Sequence, residues 1–488
     1  MRFTLLILLL GLVPAVPAQN LQQALGSVAN QNGLIGMSVV ALCNGQVTDV
    51  VHTGQSDLQR GIVVGDSTRY RIASISKLVT AIGLMRLWEQ GAFGLDDDVS
   101  TALGFTLRNP AYPNTPITYR MLLSHRSSLQ DGTGYSDFLS ATYATAPPPP
   151  ISQLVAPGGT WYTADLWRTE APGTYFTYSN LNFGVIGTLI EALSGERFDV
   201  YMRQQVLQPL GIGGSYNVQD LNDLDHLAVL YRNSIPQADD LGGVMPVAPD
   251  LSLYVPGTNG LFFAPQGGLR ASALELARIA LLLEGAGTWN GITLLQPATV
   301  TAMIANEWTW NGSNGDNYYG LFRSWGLGVH RITAQTSGDV VFPGTLMFGH
   351  AGEAYGLISD LYIDPATGFG LVFLTNGYTP GNAYGFGSSS AFYGAEEDVF
   401  AALANYAVAP CSTLGIASPA VLDDLRVQDR TLLWSGAGPL ALDVFDLTGR
   451  MIASSRLAPG EPWRPSSNVP LIIRARSQEG GYRTVRLF

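Results

Sequence analysis

Lys77 is the only lysine in the 488-residue chain; every other member of the Lys+Arg total of 26 is arginine. It stands in Ser74-Ile75-Ser76-Lys77-Leu78-Val79-Thr80, which continues through Ala81, Ile82, Leu84, Met85 and Leu87. Wound as a helix, this segment is apolar on most sides, as expected of one buried in a core. An unpaired lysine inside such a helix is costly, so the fold must bury the helix and still give one amine a polar setting. Lysine can lose its proton whereas arginine effectively cannot, and the exception in an arginine-using chain points to a job that needs a tunable amine. Ser74, three residues upstream, shares a helix face with Lys77. A serine hydroxyl is a weak nucleophile until a neighbouring base takes its proton, and a desolvated amine of depressed pKa can be that base. The blander reading, a cap serine and a solvated lysine, conflicts with the apolar run around the pair.

The length exceeds one ordinary core, so two or three folding units are expected. A 46% hydrophobic and 13% charged composition describes a packed globular protein. The net charge of −12, with no clustered basic residues, argues against nucleic acid as partner. Met1-Arg2, the apolar run from Phe3 to Val13, and Val16-Pro17-Ala18 before Gln19 read as a secretory signal peptide cleaved after Ala18. That run is too short for a membrane span and no other stretch is long and apolar enough, so the mature protein is expected outside the cytoplasm, secreted or at the cell surface. Cys43 and Cys411 are the only cysteines, which permits one disulfide in an oxidising compartment or two separate buried thiols.

Two β-rich runs between Gly36 and Thr53 flank Asn44-Gly45, a strong hairpin signal. Arg69 to Ile72 is a short strand delivering the chain to Ser74, and the Lys77 helix runs to Gln90 before Gly91. Between about 95 and 330 the pattern is helical and loopy: Ile117 to Ser124, Asn182 to Leu193, and Leu274 to Leu283, the last capped from Leu269 to Ser272. Pro147 to Pro150 mark a surface loop. Strands return with Tyr355 to Ile363 and Phe369 to Thr375 around a turn at Asp364 to Gly368, and a last helix spans about Ala391 to Tyr406. This predicts an α/β (α+β) fold, one antiparallel sheet built from both chain ends and flanked by helices, with an inserted helical lobe and a site at the seam. Short alternating runs from 421 to 488 predict a small all-β sandwich. The expected division is 1–18 signal peptide, 19–410 main domain, 411–420 linker and 421–488 tail domain.

Two further clusters can carry chemistry. Tyr178-Ser179-Asn180 offers a phenol which, beside an ammonium, has its anion favoured and can relay a proton. His350-Ala351-Gly352, followed by Glu353, precedes the late hairpin. In this order, the three clusters resemble those of the serine β-lactamase and penicillin-binding DD-peptidase superfamily, in particular its class C-like branch of β-lactamases, DD-carboxypeptidases and esterases. Gln90-Gly91 with Leu95-Asp96-Asp97, Ile117 to His125, Pro172-Gly173 and Gln266-Gly267-Gly268-Leu269 extend the likeness over roughly residues 25 to 405.

The resemblance implies that Ser74 attacks a carbonyl to give an acyl-enzyme. Lys77 and Tyr178 would share the acid and base work, the first base being left open. Asn180 would bind substrate or orient Lys77, and His350 and Gly352 would occupy the third motif on the substrate, Gly352 letting the strand approach without a Cβ. The backbone N–H groups of Ser74 and Glu353 would form the oxyanion hole. His-Ala-Gly stands where β-lactamases of this branch usually have Lys-Thr-Gly, and Glu353 adds negative charge, which turns the expectation away from efficient hydrolysis of anionic antibiotics. The tail, with Asp443 to Arg450 and Tyr482 to Phe488, resembles the sorting domain of type IX secretion, which implies secretion machinery as a partner. The expectation is thus a serine hydrolase without metal or cofactor, acting on a small-molecule or peptide amide or ester. Its rivals are an esterase on the same scaffold and a binding protein that has lost turnover.

Overall fold

The computed structural model describes residues 20–408, 411, 425–428, 431–435, 439–445, 451–465, 471–476 and 482–487. The signal peptide at 1–18, nearly all of the 411–420 linker and the turn at Gly449-Arg450 lie outside the described residues. The chain forms two compact units, Met1–Val408 and Ala409–Phe488.

In the first unit, Gly36–Cys43 and Gln46–Asp57 form the expected hairpin. It turns at Asn44 and Gly45 with φ of 50° and 74°, the left-handed pair that an Asn-Gly turn supplies at low cost. Gly36–Cys43 also pairs antiparallel with Phe369–Thr375, Met37 opposite Thr375 and Cys43 opposite Phe369, so the two ends of this unit share one sheet. Nine strands follow in spatial order: Trp308–Thr309, Ser324–Trp325, His330–Ile332, Met347–Ala354, Leu357–Asp364, Phe369–Thr375, Gly36–Cys43, Gln46–Asp57 and Ile62–Val63. Leu357–Asp364 and Phe369–Thr375 are buried at every position, which requires both faces of the sheet to be covered there. Ala273–Glu284 packs on these strands and on Gly36–Cys43. Its start is fixed by a capping box in which Ser272 and Glu275 each satisfy the other's backbone N–H.

The Lys77 helix, Ile75–Glu89, is buried without a break from Ile75 to Met85. It packs against the helix Asn180–Ser194 on one side and the strands Met347–Ala354 and Leu357–Asp364 on another, placing it at the seam between lobe and sheet. The segment Pro265 to Leu269 is stitched along it. Thr80 Oγ1 donates to the Pro265 carbonyl, the Leu269 N–H donates to Ser76 Oγ, and the Ile72 N–H donates to the Leu269 carbonyl.

The second unit has a three-stranded and a four-stranded antiparallel sheet, sharing a core that includes Leu432, Trp434, Leu442, Val444 and Ile473. Neither Cys43 nor Cys411 is a free thiol. Among the described residues no helix is long and apolar enough to cross a membrane.

Candidate active site

Ser74 is the residue at which the chain turns into the helix, and the turn is strained. Ala73, just before it, has φ of 49°, a left-handed backbone that a residue with a Cβ adopts only at a cost. Lys77 is 0% exposed. Its Nζ lies 2.9 Å from Ser74 Oγ, 2.8 Å from Asn180 Oδ1 and 2.9 Å from the Gln266 carbonyl oxygen. Burial lowers its pKa from 10.5 to about 7, against the pull of the Asp131 charge, which raises it. The carbonyl of Gln266 and Oδ1 of Asn180 can only accept, so a neutral amine spends its two hydrogens on them. That leaves its lone pair for the hydroxyl of Ser74.

Asn180 presents Oδ1 to Lys77 because its Nδ2 donates to Asp131 Oδ2 at 2.8 Å, and a carboxylate accepts only. Asp131 also accepts from Ser179 Oγ and from the backbone N–H groups of Asn180 and Leu181. It thereby caps the helix Asn180–Ser194, whose own N-cap Ser179 makes no side-chain cap bond. Asp131 is a residue that sequence reasoning missed, since a lone Asp in a loop has no local signature. Tyr178 lies beside Lys77, whose Nζ is 4.8 Å from its ring centroid. His125 underlies it at 4.5 Å between ring centroids and accepts the Ser179 N–H on Nδ1, while Tyr318 Oη donates to the Tyr178 carbonyl.

The electrostatics reverse one expectation. Burial pushes the Tyr178 phenol far above its usual range, and its hydrogen bond with Ser74 only partly opposes this. The neighbouring amine that was to favour a phenolate is itself close to neutral. Burial thus favours the protonated phenol at Tyr178 and the neutral amine at Lys77.

The third cluster divides. Gly352 lies against the turn into the helix: a Cβ there would come within 2.5 Å of Ser359 Oγ, 2.9 Å of the Ile72 carbonyl oxygen and 3.0 Å of Ser74 N. The missing side chain thus admits the chain's own nucleophile turn. Pairing with the strand His330–Ile332 stops at Gly349, so one edge of the strand beyond it is left without that partner. The Ser74 N–H has no backbone acceptor among the described residues. Glu353 is exposed, and Tyr393 Oη donates to its Oε2 at 2.7 Å. His350, expected to bind substrate, lies behind the cavity lining. It is 1% exposed, its ring lies 6.1 Å from Tyr178 and 5.4 Å from Trp325, and it is held off the cavity wall. Burial, with the nearby Lys77 charge, lowers its pKa well below 6.5, which favours the neutral ring, and its Nδ1 meets the Ala351 carbonyl oxygen.

Ser74, Tyr178, Asn180, Gly352 and Glu353 line one cavity of about 370 Å³, with Lys77 beneath them. Sequence reasoning also missed its aromatic rim, where Tyr318 and Tyr319 have φ of 49° and 58°, and Glu396 on its wall.

A profile of the Beta-lactamase family matches residues 18–386. Penicillin-binding protein 4 of Amycolatopsis lactamdurans is 24% identical over 366 residues, covering 73% of this chain and 84% of that protein. Among solved structures, EstCE1, a hydrolase with promiscuous acyltransferase activity, superposes with a TM-score of 0.58 at 22% identity, over 78% of this chain and 98% of that one. The D-amino acid amidase from Ochrobactrum anthropi SV3 does so with a TM-score of 0.57 at 19% identity, over 79% and 99%. At these identities the structural likeness establishes the fold.

Proposed function

This chain belongs to the Beta-lactamase family, and we propose that within it the protein is a serine hydrolase that passes the acyl group of an amide or ester to Ser74 and then to water. The observation that carries this reading is the 2.9 Å approach of Lys77 Nζ to Ser74 Oγ in a pocket that brings the amine near neutrality. As Oγ attacks the substrate carbonyl, Lys77 takes its proton. The N–H groups of Ser74 and Glu353 receive the oxyanion. Collapse breaks the bond to the leaving amine or alcohol, which takes the Tyr178 hydroxyl proton while Tyr178 recovers one from Lys77. Water then attacks the acyl ester, gives its proton to the same relay, and releases the acid and free Ser74.

The His-Ala-Gly motif and the neutral His350 favour the peptidase, amidase and esterase side of the class C-like branch over antibiotic hydrolysis. The aromatic cavity wall supports an esterase as the second reading. Export through residues 1–18, and a sorting role for residues 421–488 with secretion machinery as partner, are supported by their sequence patterns and belong to the same proposal. The test is to incubate the protein with a fluorophosphonate and, separately, a fluorescent penicillin, and to map adducts by mass spectrometry against Ser74→Ala. Labelling of Ser74 by both reagents is expected of a peptidase and by the phosphonate alone of an esterase; labelling by neither overturns the acyl-enzyme reading.

A further inference from the structure

His125 is bound to both chain neighbours of Tyr178. Its carbonyl oxygen accepts the Thr177 N–H at 2.9 Å, and its ring Nδ1 accepts the Ser179 N–H at 3.1 Å. Between these two bonds its ring lies against the Tyr178 ring, 4.5 Å from centroid to centroid. Resting on the acyl-enzyme reading above, we propose that His125 is the positioning residue for Tyr178: a neutral imidazole, bare at Nδ1, that aims the phenol at the departing group.

The donors around the ring fix its tautomer. A backbone N–H can only donate, so Nδ1 carries no hydrogen where it meets Ser179. Asn182 Nδ2 faces the same nitrogen at 3.3 Å, and Ser127 Oγ orients that amide by donating to Asn182 Oδ1 at 2.6 Å. The proton of the neutral ring is therefore on Nε2. His125 is 1% exposed, and burial, with the Lys77 charge adding to it, drives its pKa well below 6.5. A protonated ring would set a hydrogen at Nδ1 against the Ser179 N–H. His125 also holds a φ of 55°, a left-handed backbone that is strained in a residue with a Cβ. In that conformation its carbonyl and its ring reach two residues of one segment, 177 and 179. The hold matters because Tyr178 serves two partners. Its hydroxyl is hydrogen-bonded to Ser74 and, in the reaction, gives its proton to the group that departs. A misplacement on the order of 1 Å at such a donor costs about 10²-fold in rate. Asp131 anchors Asn180 in the same segment, so His125 fixes the phenol and Asp131 the amide.

The test compares p-nitrophenyl butyrate with ethyl butyrate, which share an acyl group and differ in whether the departing group needs a proton. His125→Leu should lower kcat/KM about 10²-fold for the ethyl ester and only about fivefold for the nitrophenyl ester. His125→Asn places an acceptor where Nδ1 stands and should restore most of the ethyl-ester activity. His125→Gln, whose acceptor lies one bond further out, should not. A merely structural role predicts equal losses on both esters, and that result, or rescue by Gln and not by Asn, overturns the proposal. Independently of any variant, ¹⁵N NMR of the wild-type protein should show His125 with a bare Nδ1 and a protonated Nε2; a proton on Nδ1 overturns the proposal as well. Fluorophosphonate labelling of wild-type Ser74 is judged apart from these results and tests the acyl-enzyme reading alone.

Discussion

Two buried titratable clusters border the same cavity, and burial drives them toward each other on the pH scale. Lys77 starts as a base and is lowered to about 7; Glu396 starts as an acid and is raised to about 7, chiefly by burial, with hydrogen bonds from the Tyr393 N–H and with Asp360 opposing the rise. The physics is shared, since a low-dielectric setting penalises whichever form is charged. The difference is in hydrogen bonding. Lys77 Nζ has three oxygen partners, two of which only accept, whereas the carboxyls of Asp360 and Glu396 are hydrogen-bonded to each other, an arrangement that needs a proton on one of them. Burial sets the protonation state, and the hydrogen bonds decide whether the group faces a reacting hydroxyl, as Lys77 does, or is closed on a second acid, as Glu396 is.

The largest effect expected from breaking the first cluster is chemical. Lys77→Ala should lower kcat/KM for an ester substrate by about 10⁴-fold, and Lys77→Arg should be about as damaging because arginine cannot be deprotonated. Steady-state kinetics decide this, and an active Lys77→Arg protein removes Lys77 as the base. Next in size is Asp131→Asn, which unseats Asn180 and should lower kcat by about 10²-fold. Because the Asp131 charge raises the Lys77 pKa, its loss should also move the acid limb of the pH–rate profile to lower pH, a shift that mere loosening of the loop does not produce.

Smaller effects lie in stability, and they should run in opposite directions with pH. The Lys77 pKa is depressed, so between about 7 and 10.5 the unfolded chain binds the extra proton and wild-type stability rises with pH. Lys77→Met should therefore stabilise the protein at pH 7. The ceiling is about 5 kcal/mol from the pKa difference, and leaving Asn180 Oδ1 and the Gln266 carbonyl unpaired reduces the expected gain to about 2 kcal/mol. That gain should fade toward pH 10.5. Asp360 and Glu396 have raised pKa values, so their native state holds protons the unfolded chain has released, and stability falls as pH rises past the ordinary carboxylate range. Asp360→Asn should stabilise by about 1 kcal/mol at pH 8 and by less at pH 5. Denaturant unfolding at several pH values measures both, and parallel pH trends in the two variants would break the comparison.

How much of this was legible in the sequence follows from what is local. The Lys77 helix, its serine one turn back, the Asn44-Gly45 hairpin and the Ser272 cap are patterns within a few residues, and each forms where the pattern places it. Asp131 meets Asn180 across 49 residues of chain, and Gln266 contributes a backbone carbonyl that any residue could provide. Asp360 sits within a buried strand and Glu396 within a helix, and nothing in either element marks them as neighbours. The burial of His350 was illegible for a related reason: the motif gives the residue, but only packing against Tyr178 and Trp325 determines that the ring is buried.

The central claim is that the amine one turn from Ser74 is near neutral at physiological pH, and the chain permits an unusually direct measurement. Lys77 is its only lysine, so isotope-labelled lysine gives one side-chain resonance to follow by NMR as the pH is varied. A single titration centred at about 7 is the expected result, with the same midpoint in the pH dependence of kcat/KM. A resonance that titrates near the ordinary lysine value of 10.5 would contradict the account.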